Sequence, residues 1–146
     1  MPSGRPIKPP EPDQLTFFLD RSLGRDVIAS AIRDQGARAL PMVDLYPDGS
    51  DQFIADPEWI MRADRESWVV ISKDKSIWHD HSDILEETTL RMFVFTNANV
   101  TGSEMAGRLR TNWEGVLRRV AQAGPYVYAI LPERLEKRWP GGKGSG

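Results

Sequence analysis

Cysteine is absent from all 146 residues. Without thiols the chain has no disulfide and no thiolate-bound zinc, so its stability must come from packing. Histidine is almost as scarce, with His79 and His81 alone. Their i, i+2 spacing differs from the i, i+4 pair that zinc takes from one helix face, and a histidine-based metal centre is set aside. Also missing is any apolar run near the roughly 20 residues needed to span a bilayer. The opening MPSGRPIKPPEPDQ lacks the apolar stretch of a secretory signal, which reads as a cytoplasmic protein with no membrane partner. Nor is there a glycine-rich phosphate loop, a Gly-x-Ser-x-Gly motif or a Ser/His/Asp arrangement, which argues against a Rossmann-like small-molecule enzyme.

What is present has the balance of an ordinary globular domain, 40% hydrophobic and 27% charged. A chain of this length buries roughly 70% of the surface that its unfolded form exposes, enough for one core without staples. Residues 1–14 hold five of the eleven prolines and little that is apolar, so they read as a flexible Pro-rich arm. Residues 140–146, PGGKGSG, read as a flexible tail, leaving 15–139 as the folded domain. The net charge of −2 is unevenly spread: residues 11–103 carry 17 acids against 9 bases, and residues 104–138 carry 7 bases against 4 acids. Such a division suits either a metal on one part and phosphates on another, or two solvated helix faces.

Along the domain, strand and helix patterns alternate. Leu15 to Leu19 is a short apolar run stopped by Asp20, followed by a helix with Ser22 at its cap and Gly36 at its end. Ala37 to Val43 predicts a second strand closing on Asp44. After a polar loop, Asp56-Pro57-Glu58 supplies an N-cap, a proline at the first helical position and an early acid. Trp68 to Ile71 is a third strand ahead of Asp74, and a short helix is expected over His81 to Leu90. Met92 to Phe95 is a fourth strand. A long helix capped by Ser103 precedes the break at Gly124-Pro125, and Tyr126 to Leu131 is a fifth strand. The expected architecture is therefore α/β, a mainly parallel sheet of about five strands with helices on both faces.

Ligands of open parallel sheets bind beyond the carboxyl ends of the strands. The residues there are Asp20, Asp44, Asp74 and Asn97, with Asp56 at a helix start facing the same edge. A carboxylate cluster without histidine or cysteine suits hard ions such as Mg²⁺ or Mn²⁺. Each acid also has a purely structural alternative: Asp20 as a turn or cap, Asp56 as an N-cap, Asp74 in a charged Lys-Asp-Lys turn, Asp44 in a strand-end turn. Trp59, Trp68, Trp78 and Trp113 fall at apolar positions and read as core, with base stacking as a second use for Trp78.

The segments around Phe17-Phe18-Leu19-Asp20, Asp56-Pro57-Glu58-Trp59, Val70-Ile71-Ser72-Lys73-Asp74 and Phe93-Val94-Phe95-Thr96-Asn97 resemble the PIN-like nucleases, above all the VapC-like toxin ribonucleases of bacterial toxin–antitoxin pairs. The likeness runs from about Phe17 to Leu131. It implies RNA as substrate, a cognate antitoxin protein as partner, a homodimer as an assembly to test, and an acidic site holding Mg²⁺ or Mn²⁺. The family's first acid maps to Asp20 and the acid after the third strand to Asp74. The helix-borne acid maps to Asp56, with Glu58 as the competing position. A fourth acid has no clean match; Asn97, Asn99 or Asp80 would fill in. Lys73, Lys75 and Arg21, and behind them the arginines of the 103–122 helix, are the candidate RNA contacts. The alternative is a PIN-like module that has lost catalysis and acts by binding or regulation.

Overall fold

Phe17 and Phe18 are neighbours in sequence and both fully buried. Successive side chains of a strand point to opposite sides, so their strand must be covered on both faces. The computed structural model, which describes residues 9–74, 76–96 and 99–141, shows that cover. Strands β1 (Thr16–Leu19), β2 (Arg38–Pro41), β3 (Val69–Ser72), β4 (Arg91–Val94) and β5 (Tyr126–Ile130) run parallel, and β6 (Leu135–Trp139) lies antiparallel to β5. Their order across the sheet is β2-β1-β3-β4-β5-β6. The helices are α1 (Val27–Asp34), α2 (Met42–Leu45), α3 (Asp56–Arg65), α4 (Ser76–Asp80), α5 (Ser82–Leu85), α6 (Gly102–Thr111) and α7 (Trp113–Val120).

Each sheet face has its own core. Phe17, Leu19, Val69, Ile71 and Phe93 pack with Ile28 and Ile32 of α1, Leu109 of α6 and Trp113 and Val116 of α7. Phe18, Val70, Met92 and Val94 pack on the other face with Trp59, Ile60 and Ala63 of α3 and Ile77 and Trp78 of α4. Burying each large side chain contributes about 1.5–3 kcal/mol. The expected mainly parallel α/β sheet is therefore present. No helix among the described residues is long and apolar enough to cross a membrane.

Several local expectations change. The sixth strand, Leu-Glu-Lys-Arg-Trp, lies outside the five that the alternation predicts. Its charges hide the pattern, yet a partly exposed edge strand tolerates them and is protected by them. A tight turn, with the Leu131 N–H donating to the Arg134 carbonyl at 2.9 Å, folds it back on β5. The run from Ala37 to Val43 divides, because Met42 opens α2; Asp44 then lies in a helix and pairs with Arg25 at 2.9 Å. The helix expected over His81 to Leu90 shortens to α5, and a separate helix, α4, precedes it. The long helix is capped by Thr101 rather than Ser103 and is interrupted at Asn112, whose side-chain amide donates to the carbonyls of Arg108 and Leu131.

Candidate active site

A crevice opens at the carboxyl edge of a parallel sheet where adjacent strands send the chain to opposite faces. β1 leads into α1 on the first face, and its neighbour β3 leads into α4 on the second. Asp20 and Asp74 stand just past the ends of these two strands. The Asp20 N–H still donates to the Ile71 carbonyl at 3.2 Å, so the carboxylate is launched from the last rung of the ladder.

Asp20 is only 4% exposed. Its Oδ1 accepts from the Ser22 N–H at 3.1 Å and the Ser22 hydroxyl at 2.5 Å, and its Oδ2 accepts from the Ser72 hydroxyl at 2.6 Å. The same Ser72 oxygen accepts from the Asp74 N–H at 2.9 Å. Asp74 repeats the local turn of Asp20: its Oδ1 accepts from the Ser76 N–H at 2.9 Å and the Ser76 hydroxyl at 2.6 Å. Asp-x-Ser at two strand ends thus makes the same side-chain turn twice, since a short carboxylate reaches the donors two residues on. Ser22 also ties the two segments together, accepting from the Lys73 N–H at 3.0 Å.

Burial pushes the Asp20 carboxyl above its ordinary range. The hydrogen bonds from Ser22 and Ser72 act against that shift, and the charge of Asp74 adds to it. A buried carboxylate whose ionisation a neighbouring charge opposes is a group that a cation would relieve. The hard oxygens of the two carboxylates fit Mg²⁺ or Mn²⁺. Among the described residues no three acidic or histidine side chains stand grouped as a finished ligand set.

Asp56 reaches the same edge from α3, but not as the N-cap that its sequence suggests. Ala55 occupies the cap position, and the Asp56 Oδ1 instead accepts from the Trp59 indole N–H at 2.9 Å. Its Oδ2 lies 3.4 Å from His81 Nε2, and Arg21 Nη1 stands 4.0 Å from Oδ1. Arg21 follows Asp20 directly, so its side chain links Asp56 to the residue after the first acid. Neither Ser22, Ser72 nor His81 figures among the residues expected for the site. The repeated Asp-x-Ser spacing is the signal that could have revealed Ser22 and Ser76; Ser72 and His81 are placed by tertiary contacts alone.

Glu58 is exposed and, among the described residues, has no side-chain hydrogen bond or ion pair. Asn99 and Asp80 are exposed, and Lys75 and Asn97 lie outside the described residues. Lys73 takes part through its backbone N–H. Arg21 is already engaged with backbone carbonyls. Trp78 is 4% exposed and belongs to the second core, which closes it to base stacking. A groove of about 550 Å³ lies at the opposite end of the strands, lined by Asp64, Trp68, Thr89, Arg91 and Gly124. Its polar groups serve the fold: Asp64 accepts from Thr89, and Arg91 donates to the carbonyls of Ser67 and Val120.

Residues 15–97 match the family model described as PIN like domain, the stretch that runs from β1 past the end of β4. The protein named "Putative ribonuclease VapC45" of Mycobacterium tuberculosis (strain ATCC 25618 / H37Rv) is 26% identical over 121 residues, which cover 82% of this chain and 88% of that protein. No solved structure shows a match.

Proposed function

The chain belongs to the PIN-like domain family, and from that premise we propose that it is a metal-dependent endoribonuclease, the toxin of a cytoplasmic toxin–antitoxin pair. The observation that carries this reading is the Asp20–Ser72–Asp74 linkage at the crevice between β1 and β3, with Asp20 buried and opposed by the charge of Asp74. Asp20 and Asp74 are the residues that would hold Mg²⁺ or Mn²⁺, with Asp56 as the third acid. When bound, the ion supplies positive charge against the phosphate and a more acidic water.

The rest of the work falls to the chain itself. Ser22, Ser72 and Ser76 fix the rotamers of the two aspartates, so no reorganisation is needed as an RNA phosphate arrives. The Trp59 indole N–H holds Asp56 in the same way, with His81 Nε2 3.4 Å from its other oxygen. Lys73, beside Asp74, is the candidate phosphate contact, and a cognate antitoxin is the partner that the toxin reading requires.

Cleavage of RNA in Mg²⁺ or Mn²⁺ by wild type, Asp20→Ala and Asp74→Ala tests the proposal. Wild type is expected to cut, and each variant to lose roughly 10²-fold or more in kcat, the scale of removing a preorganised charged group. Cleavage surviving in both variants would refute the acidic site. A folded wild type that binds RNA without cutting it would turn the reading to the binding module.

A further inference from the structure

From Pro47 to Ala55 the chain has little apolar burial to fix it. Only Asp51 is buried there, Ile54 is half-buried, and the Phe53 ring is 89% exposed. Such a segment cannot hold one conformation by excluding water from apolar surface. Besides the contact of Ile54 with the second core, the segment is tied by a guanidinium from a distant part of the chain. Arg21 Nη2 donates to the Asp51 carbonyl at 2.8 Å and also to the Ile54 carbonyl, 30 and 33 residues away in sequence. Nη1 of the same group lies 4.0 Å from Asp56 Oδ1.

We propose that Arg21 is a positioning residue, which pins segment 51–54 and with it the start of α3, so that Asp56 is delivered to the crevice beside Asp20. The planar fork of arginine can serve two carbonyls and a carboxylate together, which a lysine ammonium on a flexible stem cannot do with the same geometry. Because Arg21 is the residue after Asp20, one dipeptide supplies the first acid and fixes where the third one stands. Donors already committed to backbone carbonyls are poorly placed to serve as a phosphate contact. The catalytic consequence rests on the ribonuclease reading; the clamp on 51–56 does not.

The test compares full-length wild type, Arg21→Lys and Arg21→Gln. In hydrogen exchange read by mass spectrometry, peptides covering 46–58 are expected to exchange roughly tenfold or more faster in R21Q, with β3 and β4 unchanged and R21K in between. In RNA cleavage with Mg²⁺, kcat is expected to fall roughly 10–100-fold, with KM held within about twofold, as for a misplaced catalytic group. Unchanged exchange across 46–58 overturns the proposal. So does a raised KM with unchanged kcat and a shallower salt dependence, the mark of a lost phosphate contact. If R21Q fails to fold, R21K carries the same comparison. If wild type cuts no RNA, the ribonuclease reading fails while exchange still decides the clamp.

Discussion

Replacing Asp20 by Asn should make the metal-free protein more stable while abolishing cleavage. Asn has the same shape, and its Oδ1 can still accept from the Ser22 N–H and hydroxyl. The Ser72 hydroxyl, which now donates to Oδ2, can turn to accept from the new amide, because a hydroxyl both donates and accepts. What disappears is first of all a desolvated charge, with the repulsion from Asp74 a smaller part. Burying an ionised carboxylate costs on the order of several kcal/mol before its hydrogen bonds are counted. Set against hydrogen bonds that are stronger to a carboxylate than to an amide, the net gain expected is about 1–2 kcal/mol, the scale on which easing a functional site returns stability. For a chain of this size that raises Tm by roughly 2–8 °C.

The sign with pH follows from the raised carboxyl. Native Asp20 binds a proton more readily than unfolded Asp20, whose ordinary value is 3.8, so wild-type stability falls as pH rises through the native value. The Asn variant has no such dependence at this position. The gap between the two should be small at about pH 4, open as the pH rises, and level off once native Asp20 is fully ionised. Melting followed by circular dichroism in EDTA from pH 4 to 8 measures it. Added Mg²⁺ should raise the wild-type Tm and leave the variant unmoved. A D20N protein less stable than wild type at pH 8, or a gap that does not change with pH, would refute the reasoning.

Ser72→Ala leaves Asp20 Oδ2 and the Asp74 N–H without their shared partner in a fully buried place; urea unfolding should show a loss of about 1–3 kcal/mol. Asp56→Asn should lower kcat for RNA by roughly 10–100-fold, a displaced-ligand scale, whereas Glu58→Gln should stay within about twofold, as a solvated surface change does. Parallel kinetics on the two variants decide which acid of Asp56-Pro57-Glu58 serves the site. Gly124→Ala would place a Cβ 2.5 Å from the Thr89 carbonyl oxygen and 2.6 Å from that of Leu90, both rigid backbone. The expected cost is about 1–3 kcal/mol or more, read from the urea midpoint, with the site chemistry unaffected in the folded fraction.

The sequence alone determined the layering, because short apolar runs alternating with helical spacing admit few solutions. Phe17 and Phe18 together demand cover on both faces, and the acids that close β1 and β3 must then emerge at one edge. Those are periodic, local signals. Where a signal depended on contacts far along the chain, it was lost. Asp56 has every local mark of an N-cap, yet Trp59, His81 and Arg21 decide its partners. Leu135–Trp139 is too charged to read as a strand until β5 offers it an edge. Asp44 closes an apolar run but finds itself in a helix beside Arg25. The sequence could place Asp20 and Asp74 at one edge. Only the tertiary structure could put Ser72 between them and bury Asp20 against the charge of Asp74, because desolvation and hydrogen-bond geometry belong to the packed crevice and not to either segment.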